Sequence, residues 1–210
     1  MRLEVSPEAT IRTMSNDHEL VRERRRFIAS RSLPLFSKNG FDRTSVRDIS
    51  KACDMSVGAV YHYLGSKDDI GLLVAEQMRS EMLEFMGHAF DDPRPVESLR
   101  SIIAEWCRLC DRLQDNVLFL YQEPRNIGKP IQERIAEVEL QCLAWFEEIL
   151  CKGVDTGTFR PMDTRLFAFN IYICGNMWAF RRWYLGKLMT LDQYISAQTD
   201  ALINSALPEI

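Results

Sequence analysis

FDRTSVRDISKACDMSVGAVYHYLGSK, running from Phe41 to Lys67, decides the fold. Asn39-Gly40 just before it is a helix stop, because glycine takes the left-handed conformation in which helices end. Thr44 and Ser45 are N-cap candidates, and Ser45-Val46-Arg47-Asp48 has the form of a capping box. Val46, Ile49 and Ala52 then recur at helical spacing. Asp54-Met55 reads as a turn, Ser56 as the next cap, and Val60 with Leu64 as the apolar face of a second short helix. Ser66, with Asp69 at the capping-box position, opens a third. Caps in such quick succession, each followed by helical periodicity, spell a helix-turn-helix.

That arrangement suits nucleic acid. The second helix of such a motif enters the major groove with its N-terminal residues toward the bases, and here those residues are Val57, Gly58 and Ala59. Small side chains permit close approach. Tyr61 and Tyr63 present hydroxyls, His62 donates or accepts a hydrogen bond, and helix N-termini favour phosphate at Ser45, Ser56 and Lys67. Charge points the same way. Leu20 to Lys67 holds ten Lys or Arg against four Asp or Glu, a net of +6, inside a chain whose total is −4. A basic block in an otherwise acidic protein is the footprint of a polyanion partner.

Several segments resemble the TetR family of bacterial transcriptional repressors: Arg25-Arg26-Phe27-Ile28-Ala29, Leu35 to Phe41, Thr44 to Ile49, Ser56 to Leu64, and Ser66-Lys67. The resemblance implies a homodimer that binds a palindromic operator and releases it when a small molecule enters a C-terminal helical domain. By position it places Arg47, Val57, Gly58, Ala59, Tyr61 and His62 at or near bases, and Thr44, Ser45, Tyr63 and Lys67 on phosphates. Two residues depart from the family pattern. Asp54 stands where glycine is usual in the turn, though aspartate tolerates the left-handed region. Leu64 replaces a core aromatic.

The whole chain of 210 residues reads as all-α, with about nine helices. A disordered arm is expected over 1–16, then a three-helix DNA-binding head over 17–66 and a helical effector-binding and dimerisation domain over 67–210. The first helix is expected over Asp17 to Asn39, with Arg22 and Arg24 to Arg26 near the DNA backbone or in solvent. A long helix follows from Lys67 to about Phe90, with Ile70, Val74, Met78 and Met82 or Phe85 along one face. Asp91-Asp92-Pro93-Arg94-Pro95 breaks the chain. Further helices are expected over Val96–Leu113, Asp115–Tyr121, from Lys129 or Pro130 to Lys152, and over Thr164–Leu185 and Leu191–Ala206, with a loop over Gly153–Pro161. The final helix shows a stripe of Leu191, Ile195, Gln198, Leu202 and Ser205. In the family the last two helices build a four-helix bundle across the dimer axis, which suits a reader of half-sites about 34 Å apart.

Candidate effector-binding residues are Trp106, Phe119, Tyr121, Trp145, Asn170, Tyr172, Asn176 and Trp178, because pockets are mostly apolar with a few polar groups fixing orientation. Asn170 and Asn176 are expected to be buried. Met177 to Trp183 resembles a segment of family members linked to fatty-acid metabolism, which points to an acyl-CoA or fatty-acid-like effector, with Arg181, Arg182 or Arg125 facing its anionic head. The bland alternative for the aromatics is core packing, and for Arg181 and Arg182 a helix end favoured by the dipole.

The six cysteines point to free thiols in a reducing cytoplasm, which the resemblance makes a bacterial one, and no signal peptide or membrane-length apolar run is evident. Cys107-Arg108-Leu109-Cys110 falls within a helical pattern and has neither a second such pair nor a histidine cluster beside it, so no metal or cofactor is expected. No nucleophile-base arrangement, phosphate loop or metal spacing points to an enzyme. The partners expected are double-stranded DNA, a small effector and a second copy of the chain, with no membrane. A regulator without a small effector, governed by a partner protein or by oxidation of its cysteines, is the other reading kept open.

Overall fold

The computed structural model describes residues 18–88, 93–121 and 127–208. The described residues form nine helices and no strand: α1 His18–Asn39, α2 Val46–Ala52, α3 Val57–Tyr63, α4 Lys67–His88, α5 Pro95–Arg112, α6 Gln114–Tyr121, α7 Lys129–Asp155, α8 Thr164–Leu185 and α9 Leu191–Ala206. The chain divides into two compact units. The first takes in Met1–Gln77 and Gln122–Arg134, the second Met78–Tyr121 and Ile135–Ile210. That division falls eleven residues beyond the boundary read at residue 66 and returns the start of α7 to the first unit. The N-terminal arm over 1–16 lies outside the described residues.

In the first unit α1, α2 and α3 pack on one another around Ile28, Phe36, Phe41, Ile49, Val60, Leu64 and Ile70, all buried. Gly40 takes φ +87° and its N–H closes α1 on Phe36 O at 2.9 Å, so the stop read at Asn39-Gly40 is a left-handed cap. Ser45 caps α2 with a full capping box, Asp48 answering its backbone N–H. The Ser45 hydroxyl beside it, and then the Ser45 N–H, hold the Asp48 carboxyl below the usual carboxylate range. Asp54 occupies the turn with φ +52°, the one described non-glycine residue at positive φ.

The second unit is built on α5 and α8, which pack along each other, with α9 against α5 and α6 against α8. Leu99, Ile102, Ile103, Trp106, Cys107 and Cys110 form the buried face of α5. On α8 the inward side is Phe167, Ala168, Ile171, Tyr172, Gly175, Trp178 and Ala179. Trp178 Nε1 donates to Asp111 at 2.8 Å, and Asp111 also pairs with Arg182 at 3.4 Å.

Two sequence expectations shift. α7 runs to Asp155, past the loop expected from Gly153, because the helix ends at Gly157, φ +69°. Gly153 is buried inside the helix, where a Cβ would lie 2.0 Å from the Phe159 ring. The face of α9 is also rotated by about one residue. Tyr194, Ile195, Thr199, Ile203 and Ala206 are buried, while Ser205 is exposed. Tyr194 sets that register: its hydroxyl donates to Cys174 O at 2.7 Å and its ring lies 5.1 Å from Trp178.

Candidate nucleic-acid interface

Ser56 fixes the start of α3 by accepting from Ala59 N at 3.0 Å. Val60 faces the core, and Leu64 closes the helix with its N–H on Val60 O. Gly58, Tyr61 and His62 are therefore turned outward and exposed, with Val57, Ala59 and Tyr63 half-buried beside them. Nothing lies nearer than 3.9 Å to a Cβ built at Gly58. Arg47 and Ser45 are exposed on α2 and its cap. The His62 and Tyr63 rings meet edge to face at 5.1 Å. On α1, Arg22, Arg24 and Arg26 are exposed, whereas Arg25 donates through Nε to Tyr63 O at 3.0 Å and ties α1 to the end of α3.

Two residues expected on phosphates are committed elsewhere. Thr44 is fully buried, and its hydroxyl donates to Gly40 O at 2.8 Å and lies 3.3 Å from Leu35 O. Lys67 Nζ donates to Phe41 O at 2.9 Å, reaches Asp42 O and Thr44 O at 3.4 Å, and sits 4.4 Å from the centroid of the Phe41 ring. An ammonium gathering the carbonyls of the turn over an aromatic face is a clamp. Replacing Lys67 by methionine should therefore lower the stability of the folded protein by about 1.5–3 kcal/mol, the usual worth of hydrogen bonds to a charged group. A purely phosphate-contacting lysine would leave the thermal midpoint unmoved and only flatten the salt dependence of DNA binding.

The candidate effector residues lie in the second unit and divide into two groups. Trp106, Phe119, Trp145, Tyr172, Asn176 and Trp178 are buried. Trp106 donates to Tyr172 O at 3.0 Å, stacks on the Tyr172 ring at 5.3 Å and meets Phe146 at 5.5 Å. Trp145 meets Phe85 at 5.6 Å. Asn176 joins two helices, accepting from Cys110 Sγ at 3.4 Å and donating to Tyr121 OH at 3.1 Å. Tyr121 itself is exposed, its ring edge-on to Phe180 at 4.5 Å. Asn170, expected to be buried, is exposed, because it falls on the outward side of α8 with Leu166, Phe169 and Met177.

Phe85, read from the sequence only as part of the apolar face of α4, joins this cluster, and Phe146 and Asp111, missed by sequence reading, complete it; for Phe146 the signal was adjacency to Trp145. Glu139 also belongs near it, a half-buried carboxyl that desolvation pushes above the usual range. Burial likewise raises the phenols of Tyr172 and Tyr121. A groove of about 580 Å³, lined by Glu81, Glu84, Phe85, Ser101, Glu105, Leu109 and Arg112, adjoins the cluster through Phe85 and is lined by none of the expected residues. Arg181 is exposed, Arg182 is paired with Asp111, and Arg125 lies outside the described residues. Among the described residues no group of His, Cys, Asp or Glu is placed to hold a metal ion, and no helix is long and apolar enough to cross a membrane.

Both parts of the chain match known protein families. Residues 28–72 match the family of bacterial regulatory proteins named for TetR, and residues 92–187 match the tetracyclin repressor-like C-terminal domain. The chain belongs to the TetR family: it is a DNA-binding transcriptional regulator of the helix-turn-helix type. The transcriptional regulator HbdR of Aromatoleum sp. (strain CIB) is 25% identical to it over 200 residues, 92% of this chain and 85% of that protein. A TetR-family regulatory protein from Rhodococcus RHA1 shares the fold with a TM-score of 0.79 at 19% identity, over 89% of this chain and 98% of that one. AibR in complex with isovaleryl coenzyme A and operator DNA gives a TM-score of 0.75 at 21% identity, over 89% of this chain and 100% of that one.

Proposed function

We propose that the protein is a repressor that binds a palindromic operator as a homodimer and is released by a small, largely apolar effector. The observation that carries this reading is the outward face of α3, where Gly58, Tyr61 and His62 stand clear of the core on a capped helix inside a block of net charge +6. In this reading Arg47, Val57, Gly58, Ala59, Tyr61 and His62 approach base edges, and Ser45 and Tyr63 hold phosphates. Thr44 and Lys67 hold the turn that presents them.

The dimer is assigned to α8 and α9. Leu166, Phe169, Met177 and Tyr184 are exposed along α8, with Ile173 and Phe180 half-buried between them. A continuous apolar stripe on a helix that has already buried its opposite side calls for a partner, and a self-complementary one gives the two-fold symmetry that a palindrome requires. Phe169→Asp should turn the dimer into monomer in sedimentation and lower affinity for a two-half-site duplex by roughly 100-fold, about 2.7 kcal/mol. Phe169→Asp that remains dimeric would remove α8 from the interface.

The effector is assigned to the Trp106, Phe119, Tyr121, Trp145, Tyr172, Asn176 and Trp178 cluster, with an acyl-CoA as its chemical class. The apolar character of the cluster supports this, as does the isovaleryl coenzyme A in the AibR complex. The groove bearing Glu81, Glu84 and Glu105 has the wrong sign of charge for coenzyme A phosphates. Release requires that effector favour the state that does not bind DNA by its differential affinity for the two states. Thermal shift against acyl-CoAs of graded chain length tests the class: stabilisation peaking at one length supports it, and a flat response across the series removes it.

A further inference from the structure

Four cysteines lie in the interior of the second unit, and they are not equivalent. Cys110 is enclosed, its Sγ donates to Asn176 Oδ1, and burial pushes its thiol well up. Cys142 is equally enclosed, with Sγ 3.5 Å from Met82 Sδ, and burial pushes it up to about 12. Both are held as inert thiols. Cys107 on α5 and Cys174 on α8 face each other instead, with their sulfurs 4.0 Å apart. Cys107 is fully enclosed, while Cys174 keeps 8% of its surface and lies toward the margin of the outward side of α8. Either thiol can donate to the other across this contact, and Cys174, the more accessible of the two, is the one that meets an oxidant first.

We propose that Cys107 and Cys174 are an oxidation-sensitive dithiol, which closes to a disulfide between α5 and α8 on contact with a hydroperoxide. In the first step the Cys174 thiolate sulfur attacks one peroxide oxygen. The O–O bond breaks, and the departing hydroxide takes up the proton released from the Cys174 thiol to leave as water. Cys174 is now a sulfenic acid. The Cys107 sulfur then attacks the Cys174 sulfur, the S–O bond breaks, and hydroxide leaves with the Cys107 proton as a second water. Two thiols are oxidised to one disulfide and one hydrogen peroxide is reduced to two waters.

A sulfenic acid with a second thiol in contact is resolved to a disulfide before it is oxidised further. The sulfurs have to close by roughly 2 Å to reach bonding distance. The bridge links positions 67 residues apart, and closing a long loop restricts the unfolded chain, so the bridged protein is the more stable one. It also fastens together the two helices that carry Trp106, Tyr172 and Asn176, so oxidation acts on the unit assigned to the effector without filling its site.

The test uses the purified full-length protein, reduced, treated with graded hydrogen peroxide, alkylated, and digested with trypsin without reductant. Cleavage after Arg100, Arg108, Arg112, Arg165 and Arg181 separates the thiols: Ser101–Arg108 carries Cys107 alone, Leu109–Arg112 carries Cys110 alone, and Leu166–Arg181 carries Cys174 alone. The expected product is Ser101–Arg108 cross-linked to Leu166–Arg181, formed in proportion to peroxide, reversed by a thiol reductant, and accompanied by a rise in thermal midpoint. Cys107→Ser should leave Cys174 open to capture as a sulfenic acid by a cyclic dione, and Cys174→Ser should leave Cys107 reduced. Recovery of both cysteines alkylated after peroxide treatment overturns the proposal. So does oxidation of Cys174 beyond the sulfenic stage with no cross-link, or a cross-link from Cys174 to any other cysteine.

Discussion

Gly175→Ala is expected to destabilise the protein by roughly 2–3 kcal/mol, after allowing for the roughly 1 kcal/mol by which alanine is the better helix former. In a chain of this size that lowers the thermal midpoint by roughly 4–12 °C. A Cβ at Gly175 would lie 2.4 Å from Trp106 Cδ1, 2.5 Å from Nε1 and 3.0 Å from Cys110 Sγ. The indole has little freedom to yield. Trp106 is 2% exposed, its Nε1 is bonded to Tyr172 O, and its ring is held between Tyr172 and Phe146. Overpacking a site pinned on several sides forces a shift of helix against helix. Thermal unfolding checks this directly. A midpoint that rises, as propensity alone would require, would show that α5 and α8 are not packed through this slot. Trimming the indole with Trp106→Leu should then make Gly175→Ala nearly neutral, a coupling of the kind that double-mutant cycles detect.

Gly58→Leu is expected to do the opposite: leave the fold intact and abolish specific DNA binding. Gly58 lies near the start of α3, is exposed, and has only Ser56 Oγ, at 3.9 Å, near a built Cβ. Leucine is the better helix former by somewhat under about 1 kcal/mol, so thermal stability should hold or rise slightly. On DNA, a branched side chain at a position meant for close approach holds the helix away from the base edges. The expected loss is roughly 100-fold in operator affinity, about 2.7 kcal/mol, while the weak, salt-dependent binding to unrelated duplex persists because the basic residues are untouched. Titration of labelled duplex with both proteins at one salt concentration reads out the difference. Unchanged operator affinity would mean that this side of α3 does not face the bases.

The helices were legible because their ends carry local chemistry. Ser45, Ser56 and Gly40 act on backbone groups within a few residues, so the sequence window that contains them contains the cause. α8 and α9 begin and end where their periodicity does, under caps from Asp163 and Thr190. What was not legible depends on partners far along the chain. Lys67 and Thr44 look like phosphate ligands until the turn over Phe41 to Thr44 folds back onto them. The register of α9 follows from one tyrosine reaching Cys174 O, twenty residues away in sequence, and an amphipathic pattern with apolar residues on two neighbouring stripes does not choose between them. Asn170 and Asn176 are chemically alike and lie six positions apart on one helix, yet one is exposed and the other buried, because six positions are far from a whole number of turns. The Cys107 and Cys174 contact is of the same kind. The motif Cys107-Arg108-Leu109-Cys110 drew attention to a neighbour within α5, and the sulfur that meets Cys107 comes from α8.

The central claim, a two-fold reader of operator DNA built on α3, is tested most directly by selecting bound duplexes from a random pool with the purified full-length protein at near-physiological salt. The expected result is enrichment of a palindrome whose half-sites are about one helical turn, roughly 34 Å, apart, and loss of that enrichment with Gly58→Leu. A pool that stays unenriched, with binding that is weak, indifferent to sequence and steeply dependent on salt, would contradict it.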